Sequence, residues 1–455
     1  MNNKQILASL NEQLSLNENS KILVVGLGDT GYSVAKFLHQ QGLSFAVTDS
    51  RKKPPFIDEF LQNLPDTPVF TGGFNQTAFD VTTHLIVSPG ISLEEILIQK
   101  AILSGTKLIS DIDIFSCSTN KPIIAITGSN GKSTVTTMLG DMGNTANIKT
   151  AIGGNLGIPA LELLNEVVEL YVLELSSFQL ERTSKLNAAA ATVLNISADH
   201  IDRHGDMSTY SKEKQGIFSG NGIMVLNNDD PIVKAMKIKN RESFTFSVSK
   251  KTGFHLEMQQ GEEWLMNSKQ PLMRKSELPT EGLHNVANAL AALALGTAVQ
   301  LDLQAMCTAL RAFKGLRHRM QKIANVKGVT WINDSKATNI GACIAALQGY
   351  QEKVILIAGG DTKGADINEL IPFINQKAKH VILLGKDAEL IDKAINGSVP
   401  SSRAKTIQEA VKIASTLAKQ GESVLLSPAC ASLDQYKNYQ ERGEKFTAAV
   451  MELAA

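Results

Sequence analysis

Residues 123–134 read Ile-Ile-Ala-Ile-Thr-Gly-Ser-Asn-Gly-Lys-Ser-Thr. An apolar, β-branched run ends in a glycine-rich turn that Lys132 and Ser133 close, and a helix-like segment follows. A chain with this stretch is committed to a strand, a tight loop and a helix N-terminus. Backbone N–H groups of such a loop converge on a phosphate, and the helix dipole adds positive potential there. Lys132 is placed to reach terminal phosphates and the Ser133 hydroxyl to ligate Mg²⁺. The first glycine of the usual G-x-x-x-x-G-K-[ST] pattern is replaced by Ile126, so this is a variant P-loop.

Strands alternate with helices along the whole chain, which predicts a doubly wound α/β architecture. At about 150 residues per domain, 455 residues make about three domains. The expected division is 1–115, 116–316 and 317–455: a Rossmann-like unit, a mostly parallel P-loop unit and a second Rossmann-like unit. Within the middle unit, residues 243–275 alternate weakly and carry turn signals, which predicts short antiparallel strands. An alanine-rich helix pattern follows His284. In the last unit Ile407, Ala410, Val411, Ala414 and Leu417 fall at helical spacing.

Lys and Arg number 45, balanced by 45 Asp and Glu, so no general nucleic-acid binder is indicated. Cys117, Cys307, Cys343 and Cys430 show no C-x-x-C spacing, which argues against a metal knot or disulfide frame. Met1 to Ser20 lack an apolar signal core, and no apolar run approaches a membrane span. A cytoplasmic monomer is the expectation.

Three constellations carry chemistry. In the first unit, Gly26-x-Gly28-x-x-Gly31 follows a strand, and Asp49 lies about twenty residues on. Alone, this is the dinucleotide fingerprint and suggests a nicotinamide-dependent oxidoreductase. The glycines themselves require only that a phosphate approach backbone N–H groups, which any nucleotide diphosphate satisfies. In the second unit, Glu174 ends a buried strand in Leu173-Glu-Leu-Ser-Ser-Phe-Gln179, where open α/β sheets place their ligands. A carboxylate there, near a P-loop, is a natural Mg²⁺ ligand. The next strand runs into Asp199-His200-Ile-Asp202-Arg203-His204, and His200 could ligate a second metal. In the third unit, Lys336, Lys363 and Ser432 each follow a strand, which makes a pocket for a small acidic substrate.

Together these segments resemble the Mur ligase family. Gly128-Ser-Asn-Gly-Lys-Ser-Thr134 is similar to its ATP loop. Leu173–Glu181, Asp199–Arg203, Asn333–Asn339 and Leu426–Asp434 are similar to the signature of its D-glutamate-adding member. The resemblance covers nearly the whole chain in order. It implies a UDP-binding, an ATPase and an amino-acid-binding domain. ATP would phosphorylate the carboxylate of UDP-N-acetylmuramoyl-L-alanine, and the D-glutamate amine would attack the acyl phosphate, in cytoplasmic peptidoglycan synthesis.

By the same resemblance, Gly128, Ser129, Asn130, Gly131, Lys132, Ser133, Thr134, Asn288, Arg319 and Asp334 would bind ATP. Ser133 and Glu174 would hold one Mg²⁺; His200 and a carbamylated Lys214, in Tyr210-Ser-Lys-Glu-Lys214, would serve a second. Lys212 is a nearby competitor for the carbamate, and spacing from Tyr210 favours Lys214. Asp29, Thr30, Asp49, Ser50, Arg51 and Gly90 would contact the uridine diphosphate, with Asp29 acting through its backbone. Asn155 and Gln179 would hold the muramoyl part. Lys336, Thr338, Lys363 and Ser432 would bind the carboxylates of D-glutamate. A nucleotide-regulated binding protein remains the alternative from another class, and a folylpolyglutamate synthase the alternative within the superfamily.

Overall fold

The computed structural model describes residues 1–280 and 282–454. Three sheets follow one another along the chain. The first holds five parallel strands in the spatial order Val69–Thr71, Phe45–Asp49, Ile22–Val25, His84–Val87, Lys107–Ile109. The strand order reverses at Ile22–Val25, and a crevice opens beyond the carboxyl ends at such a switch point. The Gly26–Gly31 turn sits there. A Cβ on Gly31 would lie 1.8 Å from the Gly26 carbonyl oxygen, so that glycine lets the following helix, Asp29–Gln40, close on the strand.

The second sheet has nine strands. Its parallel part runs Phe254–Gln259, Ser243–Ser247, Ile223–Asn227, Ala190–Val193, Ile123–Thr127, Leu170–Glu174, Thr150–Gly154. The P-loop strand Ile123–Thr127 lies between Ala190–Val193 and Leu170–Glu174, with Ile126 opposite Glu174 and Thr127 opposite Val193. This register sets Glu174 level with the start of the phosphate loop. The helix after the loop, Lys132–Thr145, approaches Thr150–Gly154 closely: a Cβ on Gly143 would stand 2.0 Å from Thr150 Oγ1. The alanine-rich pattern becomes the helix Leu283–Ala298, whose residues 289–296 are all buried against this layer.

The expectation of antiparallel strands across 243–275 holds only in part. Ser243–Ser247 pairs parallel with Ile223–Asn227, because the crossover helix Pro231–Ala235 returns the chain in the same direction, and it also pairs parallel with Phe254–Gln259 at Phe246 and Ser247. The antiparallel pairs are confined to Phe254–Gln259, Glu262–Asn267 and Gln270–Arg274.

The third sheet orders Gln321–Val326, Val329–Asn333, Ser423–Leu426, Val354–Gly359, Ala378–Leu384, Ser401–Arg403. All its pairs are parallel except the first hairpin, which turns through Lys327 and Gly328, both at positive φ. Three adjacent strands here, Val329–Asn333, Ser423–Leu426 and Val354–Gly359, lead into the segments carrying Lys336, Ser432 and Lys363. The helical spacing in the last unit folds as Ile407–Leu417. All four cysteines are buried and free. Among the described residues, no helix is long and apolar enough to cross a membrane.

Candidate active site

Three cavities adjoin. The first, about 530 Å³, opens at the switch point of the first sheet. Asp29, Thr30, Asp49, Ser50, Arg51, Gly90, Asn155 and Gln179 all line it, so the eight residues expected around the UDP-linked substrate share one cleft. Asp49 is not free to grip a ribose as in a dinucleotide fold. Its Oδ2 accepts from the Leu27 N–H at 2.8 Å and from Arg51 Nη2 at 2.7 Å, and its Oδ1 accepts from Arg51 N–H and Nε at 2.8 and 2.9 Å. Burial pushes the Asp49 carboxyl up, but Arg51 and the backbone donors outweigh it and hold the group below the ordinary range.

The second cavity, about 320 Å³, is built around the phosphate loop. Gly128 and Gly131 sit at φ 148° and 86° and leave the loop open. Asn195 clasps it from the neighbouring strand end: its carbonyl accepts from Ser129 N–H at 2.9 Å, and its side chain accepts from Asn130 N–H at 2.8 Å. Lys132 Nζ folds back to the carbonyls of Gly128 and Ser129, at 2.8 and 2.9 Å. Burial lowers its pKa, partly offset by Glu174 and Asp199. Ser133 Oγ accepts from Arg319 Nη2 at 2.8 Å, so the third sheet's unit reaches across to the loop.

Glu174 is buried; Asn155 Nδ2 donates to its Oε1 at 2.9 Å, while its buried Oε2 has no hydrogen-bond partner. An orphaned buried carboxylate oxygen facing a P-loop suits a hard cation. Lys214 is 2% exposed; its Nζ donates to Gly128 O at 3.1 Å and Thr127 Oγ1 at 3.3 Å. Burial, then the nearby Lys132, drive its pKa well below the ordinary lysine value. Lys212, two residues earlier on the helix Met207–Gln215, is exposed. His200 lines the same cavity at φ 55°, and burial pushes it down to about 4, so its imidazole is neutral and available as a ligand.

The third cavity, about 300 Å³, lies beyond the loop and is lined by Asn288, Arg319, Asp334 and Lys336 together with Phe246 and His284. Asn130, Gly131, Arg319 and Lys336 line both this space and the phosphate-loop cavity. Burial lifts Asp334 to about 7, against hydrogen bonds from Ser427 Oγ at 2.9 Å and Met320 N–H at 3.2 Å. Lys336 is pushed down to about 7 by burial and by Arg319 and Lys132; its ammonium rests 3.9 Å from the Tyr439 ring centroid. Thr338 lines the phosphate-loop cavity. Lys363 joins through its 3.3 Å ion pair with Asp199. Ser432 is buried in the loop after Ser423–Leu426 and does not line that cavity.

Sequence reasoning gave Asp199 no role beyond its motif. In the fold it takes Lys363 on Oδ1 and Asn339 Nδ2 on Oδ2 at 3.2 Å, joining the second and third units. Arg442 was also missed; fully buried, it donates to Ser335 and to the Cys430 carbonyl and holds together the two loops that follow Val329–Asn333 and Ser423–Leu426. Its only sequence signal is a lone arginine in the last helix, which reads as a surface charge. Among the described residues no group of three His, Cys, Asp or Glu is arranged to hold a metal ion.

A variant P-loop thus stands between the cleft of the first unit and the cavity beyond the loop, which marks a nucleotide-dependent enzyme of the multidomain α/β class. Three family models match in order: the Mur ligase MurD-like N-terminal domain over residues 20–110, the Mur ligase middle domain over 126–296, and the Mur ligase glutamate ligase domain over 318–430. The chain belongs to the Mur ligase family. It is 49% identical over 444 residues to the UDP-N-acetylmuramoylalanine--D-glutamate ligase of Methylococcus capsulatus, covering 97% of each chain. It is 45% identical over 438 residues to the enzyme of that name from Pseudomonas aeruginosa, covering 95% of this chain and 98% of that one. Among solved structures it is similar in fold to a pseudomurein peptide ligase type C from Methanothermus fervidus, at TM-score 0.63 and 20% identity, covering 96% of this chain and 100% of that one.

Proposed function

We propose that this protein is an ATP-dependent amide ligase that joins D-glutamate to UDP-N-acetylmuramoyl-L-alanine through an acyl phosphate, in cytoplasmic peptidoglycan synthesis. The observation that carries this reading is the continuity of the three cavities. Asn155 lines both the first cleft and the phosphate-loop cavity, and Arg319 and Lys336 line both that cavity and the third. A substrate carboxylate entering past Asn155 meets a terminal phosphate held over Gly128–Thr134, and an amino acid enters between Lys336, Thr338 and Lys363.

The chemistry follows from charge. A carboxylate is a poor acyl donor, and two anions must meet for it to be phosphorylated. Lys132 and Arg319 neutralise the transferring group. Mg²⁺ would sit between Ser133 and Glu174, with a second ion near His200 and Lys214, and would supply charge neutralisation. Burial drives the Lys214 pKa well down, which favours the neutral amine, the form that adds CO₂ to become a metal-binding carbamate. Lys336 and Lys363 offer two cations to the dianion D-glutamate, and Ser432 contributes from the loop behind them.

The test is phosphate release measured with every pairing of amino acid and UDP-muramoyl precursor. Release requiring both UDP-N-acetylmuramoyl-L-alanine and D-glutamate supports the reading. Release with neither, or with a different pair alone, overturns it. An absorbance change at about 340 nm with NADH would restore the oxidoreductase reading of the first glycine cluster.

A further inference from the structure

The loop Ser88–Ile91 forms one wall of the first cleft, and Ser88, Pro89, Gly90 and Ile91 all line it. Beneath it lies a cation that belongs to the second unit. The Arg182 side chain has 0% exposure. Its Nη1 donates to the carbonyls of Val87 at 3.1 Å, Ser88 at 2.7 Å and Ile91 at 3.5 Å, and its Nη2 to Ile91 at 3.4 Å. Arg203 Nη2 adds a 2.9 Å bond to the Ile91 carbonyl. Glu181 takes one Nη2 bond at 2.9 Å, and the buried Arg182 Nε has no hydrogen-bond partner. The cleft's first-unit wall is therefore pinned by carbonyl oxygens turned toward a buried guanidinium on the second unit.

We infer that Arg182 is a positioning residue for the UDP-linked substrate: it draws the Val87, Ser88 and Ile91 carbonyls toward itself, fixing the turn that walls the cleft, and sets a guanidinium behind the wall that a diphosphate meets. The inference rests on the reading of the cleft as the diphosphate seat. Two physical facts support it. In this turn the Ser88 N–H donates to the Val25 carbonyl at 2.9 Å, the Ile91 N–H donates to the Ser88 carbonyl at 3.0 Å and Pro89 has no N–H, which leaves the Gly90 N–H as the turn's remaining backbone donor. The guanidinium pairs with Glu181 at 2.9 Å, a carboxylate that is 25% exposed, and stands near Asp111, which burial lifts to about 6. Arg182 also follows Gln179 by three residues, so the guanidinium that shapes one wall and the amide that lines the other share one short segment.

The experiment compares Arg182→Met, Arg182→Lys and Arg203→Gln with the unaltered chain by titration of UDP-N-acetylmuramoyl-L-alanine and of UDP, with steady-state KM for all three substrates and amide hydrogen exchange. Arg182→Met is expected to weaken both uridine ligands by roughly tenfold or more, as loss of charge-assisted bonds would. The KM values for ATP and D-glutamate should stay within about twofold, and exchange should rise at 87–91 but not at 128–133. Arg182→Lys, which keeps the charge but not the fork, should fall between, and Arg203→Gln should weaken binding less. If Arg182→Met does not fold, the other two variants carry the same test. Unchanged uridine binding in the folded variants, or equal losses for all three substrates, overturns the inference. Failure of the unaltered chain to bind either uridine ligand would instead overturn the reading of the cleft.

Discussion

Asn155 and Glu174 are joined twice. The Asn155 side chain donates to Glu174 Oε1 at 2.9 Å, and the Asn155 backbone N–H donates to the Glu174 carbonyl at 2.8 Å. The residue that borders the first cleft therefore orients the carboxylate that faces the phosphate loop. Asn155→Ala is expected to raise the Mg²⁺ concentration for half-maximal rate and the KM for the UDP-linked substrate together, by about 10- to 100-fold, as loss of an outer-shell partner does. Measured Mg²⁺ dependence that stays unchanged while KM rises would separate the two roles and contradict the coupling.

Lys214 is buried and held well below its ordinary pKa by burial and by Lys132. A neutral amine at neutral pH is the form that captures CO₂. Activity assayed in CO₂-stripped buffer should fall and return on adding bicarbonate. Lys214→Ala should lose most activity and regain part of it with short carboxylic acids that fit the vacated space. A chain indifferent to bicarbonate, with a Lys214→Ala variant that no carboxylate rescues, would remove the carbamate from the mechanism.

The 3.3 Å pair between Lys363 and Asp199 spans the second and third units. In the proposed reaction D-glutamate would take over the Lys363 ammonium from Asp199. Lys363→Ala is expected to raise the KM for D-glutamate by at least about tenfold, the scale of a lost charge-assisted contact, with ATP KM nearly unchanged. Equal rises for both substrates would show that the residue acts on domain closure instead.

Lys336 titrates near 7 in the free protein, pushed down mainly by burial, then by Arg319 and Lys132. An anion bound beside it favours the charged form and raises that value. The sign is then fixed. Below pH 7 the lysine is already protonated and binding leaves its proton unchanged; above pH 7 binding takes up a proton. Calorimetry of substrate binding at pH 8, in buffers of different ionisation enthalpy, should show uptake of up to one proton, and Lys336→Arg should abolish it. Proton release at pH 8 would place Lys336 away from the anion.

What was legible in the sequence was local. The P-loop, the strand ends carrying Glu174, Lys336 and Lys363, and the choice of Lys214 over Lys212 all follow from spacing within one element. Tyr210 and Lys214 stand one turn apart on Met207–Gln215, so both turn inward while Lys212 stays in solvent. The direction of Ser243–Ser247 was not legible, because a strand's alternation is the same whichever way its neighbour runs. The antiparallel strand Gln321–Val326 was missed for a related reason: its residues are half exposed, and little apolar pattern marks it. The first helix, Asn3–Leu14, carried a readable signal in the reciprocal Asn2 and Gln5 cap. Asp199, Arg182 and Arg442 could not be read at all. Their roles lie in bonds to residues roughly a hundred or more positions away, which only the assembled sheets bring together.

The central claim is that the terminal phosphate over Lys132 is passed to the substrate carboxylate before the amide forms. It is tested most directly with UDP-N-acetylmuramoyl-L-alanine carrying ¹⁸O in both carboxylate oxygens, turned over with ATP and D-glutamate. The account predicts one ¹⁸O in each phosphate released, because the acyl phosphate bridge oxygen leaves with phosphorus. Phosphate free of ¹⁸O, formed at the rate of amide synthesis, would contradict it.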